Sequence, residues 1–137
     1  MVKIKYDADL MQYISLFESL TGAKVKDCIV DDSILFIVHE NEMGKAIGKE
    51  GSNIKRVENT LKKKIRLVEF SNNVLQFVGN LISTIKAKEI KEEDGIITIY
   101  GKDTKSKGIL IGRDRHNLNQ INDIVKRYFG VKEVKVA

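Results

Sequence analysis

The sequence predicts an α+β protein made of two copies of one module, each with the order αββααβ. Three observations carry this prediction. A shift of 64 residues lays the chain on itself, so that Gly44, Ile47, Gly48 and Lys49 fall on Gly108, Ile111, Gly112 and Arg113. In the same register Asn53, Ile54, Val57, Leu61, Lys62 and Lys63 fall on Asn117, Leu118, Ile121, Val125, Lys126 and Arg127. Earlier in each copy Leu10, Tyr13, Ile14 and Phe17 match Val74, Phe77, Val78 and Leu81, a spacing that puts four apolar side chains on one helix face. Finally, the hydrophobic period changes in the same order along both halves, which divides the chain into residues 1–70 and 71–137.

Element by element, residues 7–20 read as an amphipathic helix stopped by Gly22 in a left-handed cap. Residues 25–30 and 34–39, rich in Val, Ile and Phe, form a hairpin across Asp31-Asp32-Ser33. A short helix at 43–48 runs into a glycine-bounded loop, helical spacing resumes over 52–63, and 65–70 make a third strand. The second copy gives a helix at 73–84, strands at 86–91 and 96–100 around Glu92-Glu93-Asp94-Gly95, a short helix at 105–111, a helix at 116–129 and a strand at 131–136. A module this small buries only roughly 60% of its unfolded surface, so each half should be marginal alone. Only Ser71 and Asn72 join them. We therefore expect one rigid two-domain body with its two loops in fixed relation.

Composition narrows the function. The 137 residues are 42% hydrophobic and 31% charged, a globular balance. Lys and Arg total 24 against 19 Asp and Glu, and the net charge of +5 favours polyanions without the density of a histone-like arm. Residues 71–137, with 12 basic and 8 acidic residues, supply most of that excess. One cysteine, Cys28, cannot form an internal disulfide and reads as a small buried hydrophobe; no Cys/His spacing suits a metal. The longest apolar run, Ile34 to Val38, is too short for a membrane span, and MVKIKYDADL has no secretory pattern, so the expected compartment is the cytosol. His39 and His116 have no counterparts in the other copy, which argues against a paired catalytic role. We expect a non-enzyme without a cofactor, a monomer that does not engage membrane.

The chemistry concentrates at Ile47-Gly48-Lys49-Glu50-Gly51, where two glycines let backbone approach a ligand and Lys49 supplies charge. The start of the next helix adds amide groups and a partial positive charge. A lone G-x-x-G is weak evidence, and by itself reads as a helix–turn–helix corner. Its context is stronger. The corner lies between two helices, after a hairpin and before an amphipathic helix and a strand, with a second copy 64 residues on. In this respect the chain resembles the KH family of single-strand RNA-binding modules, whose GXXG loop clamps backbone nucleotides. The element order is similar to the type II variety. After the second long helix only Val131 to Ala137 remain, room for one strand but not for the two strands and helix that type I requires. The resemblance implies the α/β KH fold twice, each with a three-stranded mixed sheet packed by helices.

The same resemblance implies bases lying on an apolar floor beside each loop, with Ile47 and Ile54 as candidates in the first copy and Ile111 and Leu118 in the second. Val57 and Ile121, a turn further on, are read as core. Asn53, Lys55 and Arg56 follow the first loop closely enough to assist it, whereas Lys62 to Lys64 read as a solvated helix end. In the second loop, Ile111-Gly112-Arg113-Asp114-Arg115, arginine replaces the second glycine. If that position needs a positive φ, a side chain there costs about 1 kcal/mol and the loop would reshape. Arg113 and Arg115 offset this with two guanidinium groups suited to phosphate, and His116 and Asn117 lie beside them. Nine Phe and Tyr residues and no Trp give no support for an aromatic platform.

GKAIGKEGSNIKRVE and GILIGRDRHNLNQINDIVKRYFGVKEV are similar to segments of archaeal transcription termination/antitermination factors built of paired KH modules. What this implies is binding of single-stranded nascent RNA, with RNA polymerase or the transcription complex as a further partner. Two other readings stay open: a factor gripping pre-rRNA during ribosome assembly, and an interaction scaffold that uses the second module on protein.

Overall fold

The computed structural model describes residues 8–82 and 87–137. The chain divides between Ser71 and Asn72 into two compact units. Of the predicted elements, Asp7 in the first helix, Ser83 and Thr84 in the fourth, and Lys86 at the start of the fourth strand lie outside the described residues.

In the first unit helix α1 (Ala8–Thr21) is followed by strands β1 (Val25–Val30) and β2 (Ile34–Val38), helices α2 (Met43–Ile47) and α3 (Ser52–Leu61), and strand β3 (Ile65–Glu69). Gly22 closes α1 at φ 76°, its amide donating to the Glu18 carbonyl at 2.8 Å, the left-handed cap that the sequence predicts. The sheet has the order β1-β2-β3, antiparallel between β1 and β2 and parallel between β2 and β3. Its central strand, Ile34–Val38, is buried at every position, which is why it reads as a continuous apolar run rather than an alternation. Phe17 of α1 stacks on Phe36 of β2 with ring centroids 4.2 Å apart, and Leu10, Cys28, Ala46 and Val57 complete that core.

The second unit repeats the order: α4 (Val74–Leu81), β4 (Glu89–Glu93), β5 (Ile96–Tyr100), α5 (Thr104–Ile111), α6 (His116–Tyr128) and β6 (Glu133–Val136). The sheet is again mixed, β4-β5-β6, with β4 antiparallel to β5 and β5 parallel to β6. Phe77 of α4 meets Tyr128 edge-on at 6.1 Å and Phe129 at 5.8 Å. Ile97, Ile99, Leu110, Ile124 and Val125 are fully or almost fully buried.

Beyond shifts of a single residue, three elements whose predicted ends are described depart from the sequence reading, each for a local reason. Strand β4 lies later than residues 86–91 because its hairpin turns on Asp94 and Gly95 alone, both at positive φ, a tight two-residue turn that lets pairing continue to Glu93. Helix α3 stops at Leu61 because Lys62 takes the left-handed conformation at φ 57° and donates its amide to the Glu58 carbonyl. Helix α6 runs further from its loop than α3 does, so β6 opens at Glu133 instead of 131 and the 64-residue register, true across the loops, is lost at the sheet. The caps Asn73 and Asp103 accept from the amides of Gln76 and Ser106 at 2.9 and 2.7 Å, fixing where α4 and α5 begin.

Cys28 is fully buried on β1 beside Asp27, whose Oδ1 accepts from the Cys28 amide at 2.9 Å. Burial first, and the neighbouring carboxylate second, push the thiol up to about 12. A raised thiol pKa means that the unfolded chain ionises first as pH climbs. The contribution to stability is therefore full below the ordinary thiol range and is lost between about 9 and 12. We expect iodoacetamide to leave native Cys28 unmodified at pH 8 and to label it only on unfolding, as read by intact-mass analysis across a urea series; rapid native labelling would contradict this burial.

Candidate nucleic-acid interface

Each unit carries a corner between a short helix and a long one, and the two corners have the same backbone. Gly48 ends α2 at φ 73°, ψ 174° and Gly112 ends α5 at φ 76°, ψ 170°. This region is essentially confined to glycine. Space demands glycine as well. A Cβ on Gly48 would lie 2.7 Å from Cγ of Asn53, and one on Gly112 would lie 2.8 Å from Cγ and 2.9 Å from the backbone nitrogen of Asn117. The asparagines are held there because Nδ2 of Asn53 donates to the Lys45 carbonyl at 2.7 Å and Nδ2 of Asn117 to the Ile109 carbonyl at 2.8 Å. Each side chain staples the first turn of the long helix to the end of the short one, across the glycine. Sequence reasoning places both asparagines at the ligand; the structure gives them this scaffolding role, for which their matching register was the available signal.

Between the helices runs a tight three-residue turn, Lys49–Gly51 or Arg113–Arg115, whose last two residues leave helical geometry for the left-handed region. Glu50 and Asp114 sit at φ 54° with ψ 30° and 31°, followed by Gly51 at φ 76°, ψ 14° and Arg115 at φ 64°, ψ 19°. The arginine does not reshape the corner. At the matching position of the first unit nothing lies within 4 Å of where a Cβ on Gly51 would stand, so a side chain at this place in the corner meets backbone strain without a clash. The amides of Gly51 and Ser52 donate back to the carbonyls of Gly48 and Lys49, and those of Arg115 and His116 to Gly112 and Arg113. Part of the amide set that the sequence assigns to an anion is thus used inside the corner, and charge at the rim rests more heavily on Lys49, Arg113 and Arg115.

These side chains face water. Lys49, Glu50, Lys55 and Arg56 are exposed, as are Arg113, Asp114, Arg115, His116 and Asn117. Ile47 keeps 38% of its surface accessible, and Ile54 and Ile111 are half-buried at the foot of their loops. Leu118 departs from its expected place. It is 4% exposed, buried as Leu110 and Ile121 are, so the apolar floor of the second unit is narrower than that of the first. Val57 is fully buried and Ile121 is buried, consistent with core.

Electrostatics also fix the approach to each corner. Glu42, before α2, accepts the Lys24 amide at 2.8 Å and lies 3.5 Å from Lys45 Nζ; the backbone hydrogen bond, then the lysine, holds its carboxyl below the usual range. The Asp103 carboxyl is held low mainly by the Ser106 amide and then by its hydroxyl. Among the described residues no group of three or more His, Cys, Asp and Glu could hold a metal ion, and no helix is long and apolar enough to cross a membrane.

A mixed three-stranded sheet with a glycine corner between the fourth and fifth elements of each αββααβ unit defines a class, and comparison with known proteins gives the same class. The family described as KH domain matches residues 11–94, which include the first corner. A protein of Methanococcus vannielii named "Probable transcription termination protein NusA" is 35% identical over 99% of this chain and 81% of its own length. One of the same name from Halococcus morrhuae is 32% identical over 93% of this chain and 94% of its own. The solved structure described as "Crystal structure of APE1850" superposes with a TM-score of 0.72 at 32% identity, covering 96% of this chain and all of that one. The chain belongs to the KH-domain family and, within it, to the archaeal NusA-like proteins.

The two glycines of the first corner should respond differently to alanine. Gly48→Ala meets both a glycine-only backbone and Asn53, and should cost upwards of about 2 kcal/mol, whereas Gly51→Ala should cost only about 1 kcal/mol. Conversely, Arg115→Gly should stabilise the chain by about 1 kcal/mol. Urea unfolding of the three variants gives all three values; equal losses for Gly48→Ala and Gly51→Ala would contradict the geometry.

Proposed function

We propose that the chain binds single-stranded RNA through its two corners and acts, as a NusA-type factor, on nascent transcripts in termination or antitermination. This reading treats residues 1–70 and 71–137 as two KH modules. The observation that carries it is the identity of the two corner backbones despite different residues. Gly51 and Arg115 share one conformation, so the second loop keeps the shape of the first while gaining a guanidinium. Retaining the strained shape at an exposed surface position is what a backbone-clamping loop requires and what a mere helix–helix corner does not. The names of the relatives support the transcriptional setting, and RNA polymerase or its elongation complex is the proposed partner there.

The mechanism follows from the parts. Lys49 in one loop, and Arg113 and Arg115 in the other, neutralise phosphates. The corner glycine allows the strand to approach closely, and Ile47, Ile54 and Ile111 offer aliphatic contact to bases. A KH loop engages about four nucleotides. Because β3 ends at Glu69 and α4 begins at Val74, the second engagement is intramolecular across a short tether, which raises its effective concentration.

Two measurements test this. Lys49→Asp with Glu50→Asp places repulsive charge at an exposed turn, and should lower RNA affinity at least about tenfold while leaving the far-UV spectrum unchanged. Fluorescence anisotropy at several salt concentrations should give a slope of roughly −0.7 in log K against log salt per phosphate contact in the unsubstituted protein. An RNA long enough for both loops should bind far more tightly than one covering a single loop, and equal affinities would refute the bivalent mechanism. If neutralising Arg113 and Arg115 together leaves RNA binding untouched, the second unit instead engages protein.

A further inference from the structure

A sheet edge with free backbone groups can accept a strand from another chain, and the edges of the two sheets differ in this respect. Strand β1 carries a bulge between Val25 and Asp27, which breaks the straight run that a further strand needs. Strand β4 lines its edge with the exposed carboxylates of Glu89, Glu92 and Glu93. On β6 one side chain takes both outward groups of Val134: Asn122 Oδ1 accepts the amide at 2.8 Å and Nδ2 donates to the carbonyl at 2.8 Å. That carboxamide occupies the place of an added strand. Strand β3 is not closed in this way. The Ile34 amide donates to the Lys64 carbonyl and the Phe70 amide to the Val38 carbonyl, so even-numbered residues of β3 bond to β2 and odd-numbered ones point outward. Glu58 Oε2 accepts the Ile65 amide at 3.2 Å, but the amide and carbonyl of Leu67 have no hydrogen-bond partner among the described residues.

What surrounds that opening is basic. Lys62, Lys63, Lys64 and Arg66 are all exposed, and none of their side chains is in a salt bridge among the described residues. A solvated helix end accounts for the three lysines; it does not account for Arg66, which belongs to the strand. The ten residues of α3, a rise of roughly 15 Å, separate this cluster from the first corner. Side chains alternate along a strand, so an added segment lays one set beside Lys64 and Arg66 and the other beside Ile65 and Leu67. The first set meets cations. The second meets Leu67, which is half-buried and packs against the core of the first unit. A segment that alternates acidic and apolar residues matches both sets and supplies main-chain groups to Leu67.

We infer that β3 is a docking edge for an extended acidic segment of a protein partner, which adds to the first sheet as a fourth strand. This goes beyond RNA binding and does not depend on it. The probe is a fluorescein-labelled peptide of alternating Glu and Val, titrated against the full chain by anisotropy. It should bind at least about tenfold more tightly than a peptide of the same composition with its glutamates and valines in two blocks. Backbone N-methylation removes the main-chain donors on one side of the peptide; of two versions, methylated at the valines or at the glutamates, one should lose about tenfold. Lys63→Gln with Arg66→Gln changes exposed residues only, and should weaken the peptide about tenfold while RNA affinity stays within about threefold. Equal binding of the alternating and blocked peptides, or indifference to both methylations, overturns the inference. If the cation pair instead lowers RNA affinity and the peptide is ignored, the cluster serves the polynucleotide and the inference falls as well.

Discussion

The contact between a glycine without a side chain and the asparagine beside it is the constraint on which the site depends. At Gly48 and at Gly112 the chain turns through a conformation that excludes L side chains, and the asparagine five residues on fills the space that a Cβ would need. The asparagine amide then holds the short helix through one carbonyl. Each corner is consequently a rigid object, although it is exposed and only a few residues long. Its rim residues need contribute nothing to its shape and are free to vary in charge.

That separation of shape from charge explains how the two units differ. The first keeps glycine at the end of the turn and relies on Lys49. The second carries two consecutive non-glycine residues, Asp114 and Arg115, in the left-handed region. Aspartate adopts it comparatively easily, whereas arginine incurs a strain of about 1–2 kcal/mol. The core of the second unit, with Leu118 drawn inward, leaves less apolar surface at the loop than Ile54 leaves in the first. One unit thus presents more hydrocarbon and the other more cation.

Much of the fold was legible in the sequence. Period changes located the helices and strands, most plainly where an element buries one consistent face, as the helices carrying Phe17 and Phe77 do. Boundaries were less legible where single residues decide them. Neither the left-handed Lys62 nor the two-residue turn at Asp94-Gly95 leaves a periodic trace. At the site, the corner glycines and exposed cations could be read directly. The inward turn of Leu118 could not, since an apolar residue at that spacing serves a floor or a core equally well. The staple made by Asn53 and Asn117 was hidden for another reason: a polar residue beside a basic loop looks like a contact, and only the carbonyl that it reaches, eight residues back, shows what it does.

Strand β4 lies at an edge of its sheet and alternates little: Glu89, Lys91, Glu92 and Glu93 are exposed, with only Ile90 partly covered. An open edge ordinarily invites another chain to pair with it. Here two molecules approaching edge to edge would bring clustered carboxylates together, so the surplus negative charge works as a guard against self-association. A chain of net charge +5 can in this way carry a local excess of carboxylates where its sheet edge is open.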